Sequence, residues 1–400
     1  MCNGSLMDKL ISFSLPLMLS GILQLLFNAV DIIVVGRFTG RQALAAVGST
    51  TALINMFVNL FIGISLGANV LAARFFAAKK AREMSETVHT AIAFALVSGI
   101  GMAFIGVAFA RTALELMGTP DDVIQLSALY MRLYFCGMPF FMLYNYGAAI
   151  LRAIGDTKRP LLFLVIAGVA NVALNLLLVI VFHLGVAGVA IGTIISQMIS
   201  SILVLRCLCK AEASYRLHFS KLSIKGVYMK QIFKVGIPAG IQSTVINFSN
   251  VLLQSSVNSF GSTAMAGYTA ANNIFGFLYA SANSITQACM SFTSQNYGAG
   301  KWKRIDRVVV DCMALTVVIM LALGGGAYVF GHQLLGIYTS DAEVIACGME
   351  ILLYTTVTYF LCGLMDLFPG AMRGMGYSLV PIIISIIGTV GLRIVWIFWV

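Results

Sequence analysis

The chain has 400 residues, 60% of them hydrophobic and only 10% charged, with a formal net charge of +10. Soluble domains carry roughly 25% charged residues, so this composition excludes an ordinary soluble fold and points to a lipid environment. The basic excess raises nucleic acid as a partner, and the placement of the charges argues against it.

In chain order, apolar stretches with very few charges approach the roughly 20 residues that cross a bilayer. They predict helical spans at 10–35, 44–73, 87–110, 123–150, 161–182 and 186–206. After a polar gap come 233–258, 264–292, 308–330, 345–369 and 380–400, eleven spans in all. Strand-like alternation is absent, so helices rather than a β-barrel are expected to satisfy the backbone. No cleavable signal peptide stands out, and the first helix is expected to serve as its own insertion signal.

Lysine and arginine concentrate in alternate connections. Arg74, Lys79, Lys80 and Arg82 lie in one, and Arg152, Lys158 and Arg159 in the next. Arg206, Lys210, Arg216, Lys221, Lys225 and Lys230 follow, then Lys301, Lys303, Arg304 and Arg307, then Arg373. The other connections hold little beyond Arg37, Arg41 and Arg111. The positive-inside rule makes the basic loops and the N-terminus cytoplasmic in a multi-pass plasma-membrane protein. The basic balance is topology, and no nucleic-acid partner is expected.

The chain also repeats itself. Arg152-Ala-Ile-Gly-Asp-Thr-Lys-Arg-Pro160 returns as Arg373-Gly-Met-Gly-Tyr-Ser-Leu-Val-Pro381, 221 residues later. Leu15-Pro16 returns as Ile237-Pro238 and Asn28 as Asn250, both at 222. Ala43-Leu-Ala-Ala matches Ala264-Met-Ala-Gly, and Phe76-Ala-Ala matches Tyr297-Gly-Ala, at 221. An even number of spans per unit makes the repeats parallel. The expected organisation is a six-helix lobe at 1–206, a basic cytoplasmic linker at 207–232 and a second lobe at 233–400. By the offset, Val400 corresponds to Val179, so the second lobe is expected to lack its last helix through truncation.

Few residues inside the spans can carry chemistry. Asp31 lies about twenty residues into the first helix, roughly 30 Å along it. Gln24 and Asn28 share its face. A charge at such depth is costly and usually faces a cavity or relay; the plainer alternative is an interface anchor beside Arg37 and Arg41. Asn171 and Asn175 share a face of the fifth helix, and Thr193 enters from the sixth at similar depth. These oxygens suit a small hard cation such as Na⁺, or the surroundings of a carboxylate that takes up a proton. They equally suit plain helix–helix hydrogen bonds.

The ordered landmarks resemble the multidrug and toxic compound extrusion (MATE) transporters, within a larger group that includes lipid and polysaccharide flippases. The resemblance runs over essentially the whole chain. It rests on Leu15-Pro16 with Asp31 and Gly36, Ala43-Leu-Ala-Ala-Val-Gly48, the Arg152–Pro160 motif, and Asn171 with Asn175. Gly185-Val-Ala-Gly-Val-Ala-Ile-Gly-Thr193 and Met372-Arg-Gly-Met-Gly376 complete it. It implies an all-α integral membrane fold in which two six-helix bundles form a V, here with eleven of twelve helices. It also implies export of amphipathic, often cationic drugs or metabolites in exchange for inward H⁺ or Na⁺, by alternating access.

By the same likeness Asp31, Asn171, Asn175 and Thr193 form the cation or proton site, although Asn175 lacks the second carboxylate some members carry. In the second lobe no acid occurs between Glu212 and Asp306, so the family's seventh-helix Glu is absent, leaving Gln242, Asn247 and Asn250 as polar substitutes. Asp366 is the tenth-helix acid, a substrate countercharge, a coupling site or an interface residue near Arg373. Asn145 matches Asp366 by the offset and is a further supporting polar group.

The remaining features are quieter. Pro16, Pro139, Pro238 and Pro369 can admit bends, Gly324-Gly-Gly326 is another soft point, and Gly63-x-x-x-Gly67 marks close packing. The eight cysteines are scattered, and His89, His183, His218 and His332 read as surface groups. No metal centre beyond Na⁺ at the Asp31 group, no cofactor and no nucleotide loop is expected. A monomer acting on small molecules in the bilayer is expected. A lipid-linked oligosaccharide flippase is the alternative, for which Arg132 and Arg393 are the main intramembrane cations, and a membrane transferase lacks the clustered acids and histidines it needs.

Overall fold

The computed structural model describes residues 1–211, 214–258, 260–339 and 341–399, with the side chains of 41, 52, 251, 252, 254, 255, 258, 262, 397 and 398 also outside the description. Glu212, the Arg41 side chain and the end of the last expected span at Val400 therefore lie outside the described residues.

The described chain is helical, as the hydropathy predicts. Its elements are α1 (Leu6–Phe38), α2 (Arg41–Ala77), α3 (Ala81–Leu116), α4 (Asp121–Cys136), α5 (Met138–Ala153), α6 (Lys158–Leu176) and α7 (Gly185–Cys209). There follow α8 (Gly226–Asn258), α9 (Ser262–Gly298), α10 (Trp302–Val329), the short α11 (Gly331–Gly336), α12 (Ala342–Gly374), α13 (Leu379–Ser385) and α14 (Leu392–Trp399). A π-helical turn, Leu177–Val181, extends α6, and another, Ile386–Gly391, joins α13 to α14. Among the described residues eight helices are long and apolar enough to cross a membrane, or nine if one bent pair counts as a single span. Helices α8 and α9 cover the expected ranges 233–258 and 264–292 but are not among those eight.

The bent pair is the expected span 123–150. It breaks at Gly137, and α4 and α5 meet there at 45°. Pro139 in the first turn of α5 cannot donate a backbone N–H, so the ladder stops where the ring begins. Pro16, Pro238 and Pro369 instead lie inside continuous helices.

The chain falls into two compact units, Met1–Ile22 with Ile237–Val400, and Leu23–Gly236. The dividing points lie within α1 and α8. In the first of these units Leu6, Leu10, Phe13 and Leu17 pack with Ile285, Cys289, Phe292, Val308 and Leu367. Phe13 meets Phe292 edge-on at 5.5 Å between ring centres.

In the other unit the basic segment between the repeats is docked. Lys225 Nζ reaches Glu86 at 2.8 Å, and the Lys225 backbone N–H donates to Thr90 at 3.3 Å. The backbone N–H of His218 donates to His89 Nε2 at 3.0 Å, while His89 Nδ1 lies 2.6 Å from the Ser85 carbonyl. His89 is thus 3% exposed, not the surface group its place near a helix end predicts. Its two ring nitrogens are used by backbone groups on either side. Gly67 takes the start of α8, where a Cβ would run into the Ile232 carbonyl, so this glycine of the Gly63-x-x-x-Gly67 motif serves close packing.

The α4–α5 break is packed against α3. A Cβ on Gly99 would fall 2.6 Å from Pro139 Cα, a backbone atom that cannot step aside, whereas Gly101 on the same helix faces open space. Gly99→Val is expected to destabilise the protein by about 2 kcal/mol through overpacking. Thermal unfolding in detergent should show a lowered midpoint for Gly99→Val and a nearly unchanged one for Gly101→Val.

Candidate functional site

Asp31 lies in the last two turns of α1 and is partly buried. What brings other helices to it is small side chains at the crossing points. One turn earlier on α1, Phe27 packs directly over Gly168 of α6, where a Cβ would overlap the ring. That contact sets α6 beside α1 and carries Asn171 and Asn175, three and seven residues on, towards Asp31. Gly192 does the same for α7, since a Cβ there would overlap Asn175 Oδ1.

The four residues singled out from the sequence form one hydrogen-bonded chain. Asn175 Nδ2 donates to Asp31 Oδ1 at 2.5 Å and lies 3.2 Å from Asn171 Oδ1. Asn171 Nδ2 reaches Thr193 Oγ1 at 3.5 Å, and that hydroxyl donates to the Val189 carbonyl at 3.0 Å. Asn175 is fully buried, and its Oδ1 has no hydrogen-bond partner among the described residues. Nor does Asp31 form an ion pair among them. The carboxylate is therefore faced by neutral dipoles, with an unused carbonyl oxygen one residue away. Carboxylate, amide and hydroxyl oxygens are the donors a hard cation takes.

Valines close the surroundings: Val34, Val35, Val179, Val186 and Val189 with Ala43, and Val30 and Tyr130 against them. Tyr130 and Tyr134 of α4 stand in the field of Asp31, their rings 6.2 Å apart. Sequence reasoning missed both; the signal was a pair of tyrosines four apart in an apolar span. Tyr134 and Thr193 also line a cleft with Gly137, Met138, Phe141, Ile194 and Gln197.

Other candidates fall elsewhere. Gln24 and Asn28 are exposed and outside the chain of hydrogen bonds, and Asn145 donates to the Phe141 carbonyl of its own helix. In the unit containing 237–400, Gln242 donates to Ser385 at 2.8 Å and accepts from Arg373. Asp366 lies in the field of Arg373 and accepts a hydrogen bond from Tyr279. Asn250 accepts from Arg393, and Asn247 is exposed.

Long apolar helices around a partly buried intramembrane carboxylate, built in repeats, point to a membrane transporter. A family model described as MatE matches residues 16–177 and again 238–399, and the chain belongs to this family of transporters, which are not enzymes. Each end of the second match lies 222 residues after the same end of the first, so the model finds the repeat as well. The probable multidrug resistance protein YoeA of Bacillus subtilis (strain 168) is 32% identical over 391 residues, covering 96% of this chain and 84% of YoeA. The multidrug export protein MepA of Staphylococcus aureus (strain NCTC 8325 / PS 47) is 21% identical over 364 residues, covering 91% of this chain and 80% of MepA. Among solved structures, an outward-facing conformation of a multidrug resistance MATE family transporter of the MOP superfamily overlays with a TM-score of 0.92. It is 21% identical, with 99% of this chain and 89% of that one covered.

The Gly192–Asn175 contact can be tested directly. Gly192→Ala pushes Asn175 away from Asp31, and a displacement of about 1 Å at such a site can cost on the order of a hundredfold. Gradient-driven ethidium efflux from proteoliposomes is expected to fall at least about tenfold, with the variant still inserted and monodisperse in detergent.

Proposed function

We propose that the protein is a secondary antiporter of the plasma membrane that exports amphipathic, often cationic molecules in exchange for inward H⁺ or Na⁺. Asp31 is the principal coupling residue, supported by Asn171, Asn175 and Thr193. The observation that carries this reading is the 2.5 Å hydrogen bond from Asn175 to a carboxylate that has no ion-pair partner among the described residues. An intramembrane acid left without a fixed cation is in a position to take a mobile one.

Asn175 suits either ion. Its amide N–H₂ donates to the ionised carboxylate; turned over, its carbonyl accepts from the protonated acid, because an amide offers a donor on one side and an acceptor on the other. For Na⁺, its unused Oδ1 joins the Asp31 carboxylate, Asn171 Oδ1 and Thr193 Oγ1 as hard donors. Ion arrival removes the negative charge of Asp31 and with it the energetic basis of one arrangement of the helices. This drives transport only because the ion binds one conformation better than the other. The basic loops and the N-terminus lie on the cytoplasmic side, and one chain suffices for the cycle. The family likeness to YoeA and MepA, both described by their multidrug roles, supports the choice of substrate class.

Asp31→Asn keeps the size of the side chain and removes the titratable charge. Proteoliposomes loaded with ethidium and given a pH gradient or a Na⁺ gradient separately should show efflux with wild type under at least one of them. Asp31→Asn should show none, with yield and thermal midpoint retained. Wild-type rates in the variant sink the assignment of Asp31. No response of the wild-type protein to either gradient favours the flippase alternative.

A further inference from the structure

The offset between the two repeats changes by one residue twice, from 222 at Asn28 and Asn250 to 221 at Ala43 and Ala264, and back to 222 after Pro160 and Pro381. Pro160 in the first turn of α6 and Pro381 in α13 stand 221 apart, yet the two family matches end 222 apart, at 177 and 399. One residue has entered the second copy between these points. The π-helical turn Ile386–Gly391 accommodates it, since an i→i+5 turn holds one residue more than an α-turn, and such insertions cluster at functional sites. The first copy is ordinary α-helix through the matching stretch; its own π turn, Leu177–Val181, comes later. Beyond the insertion Arg393 takes the place of Asn171. On α8, also 222 residues from α1, Asn250 stands for Asn28 and Leu253 for Asp31. The second copy therefore puts a guanidinium where the first has an amide, and no carboxylate where the first has Asp31.

Arg393 is held in a defined orientation. Its Nη1 donates to Asn250 Oδ1 at 2.7 Å and to Ser249 Oγ at 3.1 Å. Tyr268 of α9 and Cys362 of α12 lie within its field. Among the described residues it forms no ion pair, and its Nε and Nη2 have no hydrogen-bond partner. That free edge of the fork is one that grips a carboxylate with two parallel hydrogen bonds. Arg373 in the same unit differs, because it is engaged by Gln242 and by the field of Asp366. A cation in an apolar helix with no counterion is costly, and such groups usually serve a ligand.

We propose that Arg393, oriented by Asn250 and Ser249, is a binding site for the carboxylate of an amphipathic ligand. The inference rests on the exporter reading only in taking that ligand to be the transported molecule.

The test is equilibrium binding to the purified full chain in detergent, read by fluorescence anisotropy. The probes are rhodamine B as its free acid, a zwitterion, and as its ethyl ester, a cation with the same ring system. Wild type is expected to bind the free acid about tenfold more tightly than the ester, the range of one charge-assisted bidentate contact. Arg393→Gln should erase that preference, weakening the acid about tenfold and the ester less than about twofold, while Arg393→Lys keeps a preference for the acid. Equal weakening of both dyes makes Arg393 a mere strut between α14 and α8 and overturns the proposal, as does unchanged binding of the acid. Wild type without a preference overturns it too, even should Arg393→Gln fail to fold. Efflux absent under both gradients with the dye preference intact would instead overturn the exporter reading and leave this site standing.

Discussion

A carboxylate among apolar helices has to be answered by a cation, a proton or oriented dipoles. In this protein Asp31 is answered by an amide. The choice constrains everything near it. A lysine or arginine reaches across several ångströms from a loosely packed helix, but an asparagine side chain is short, so α6 must lie almost against α1. Gly168 under Phe27 allows that approach, and Gly192 opposite Asn175 lets α7 close from the other side. Asn171 and Thr193 then extend the hydrogen bonding beyond Asn175, whose donors would otherwise be under-used in a buried position. Valines of the same helices pack beside these dipoles, and a lower local dielectric strengthens such hydrogen bonds. A fixed positive side chain would have satisfied Asp31 permanently; neutral donors leave its charge without a fixed counterion, which is what the proposed ion coupling requires.

Much of this was legible in the sequence because it rests on period and spacing. Hydropathy gave helices close to where they occur, and Asn171 and Asn175 share a helix face for the same reason that any i,i+4 pair does. Thr193 could be placed at a matching depth by counting residues. Other features escaped because they depend on where helices cross rather than on any one helix. Tyr130 and Tyr134 come from a span whose break at Gly137 is local, yet whose partner is set by packing. His89 lies near a helix end, which reads as exposed, until the segment around His218 and Lys225 folds back on α3 and uses both ring nitrogens. The dividing points inside α1 and α8 were equally hidden, since nothing in the residues around Ile22 or Gly236 breaks the helix there. The one-residue slip near Ile386 left only a change of offset from 221 to 222, which a π turn explains once the backbone is seen.

The duplicated scaffold shows how one geometry can hold opposite charges. Asp366, the acid of the second copy, is compensated inside its own unit by a hydrogen bond from Tyr279 and by the field of Arg373. Its negative charge is thereby partly offset within that unit. Asp31 accepts a hydrogen bond from Asn175 but has no cation acting on it among the described residues. An ion arriving at Asp31 changes the net charge of a site built of dipoles alone, and in a low-dielectric setting that change has its full electrostatic weight. Linkage needs a ligand that distinguishes two conformations. An uncompensated charge surrounded by dipoles of fixed direction distinguishes them sharply, because a small rotation of α6 or α7 turns those dipoles away. The difference in compensation between Asp31 and Asp366, more than the mere presence of two acids, is the physical ground for the proposal that ion coupling resides in the first copy of the repeat.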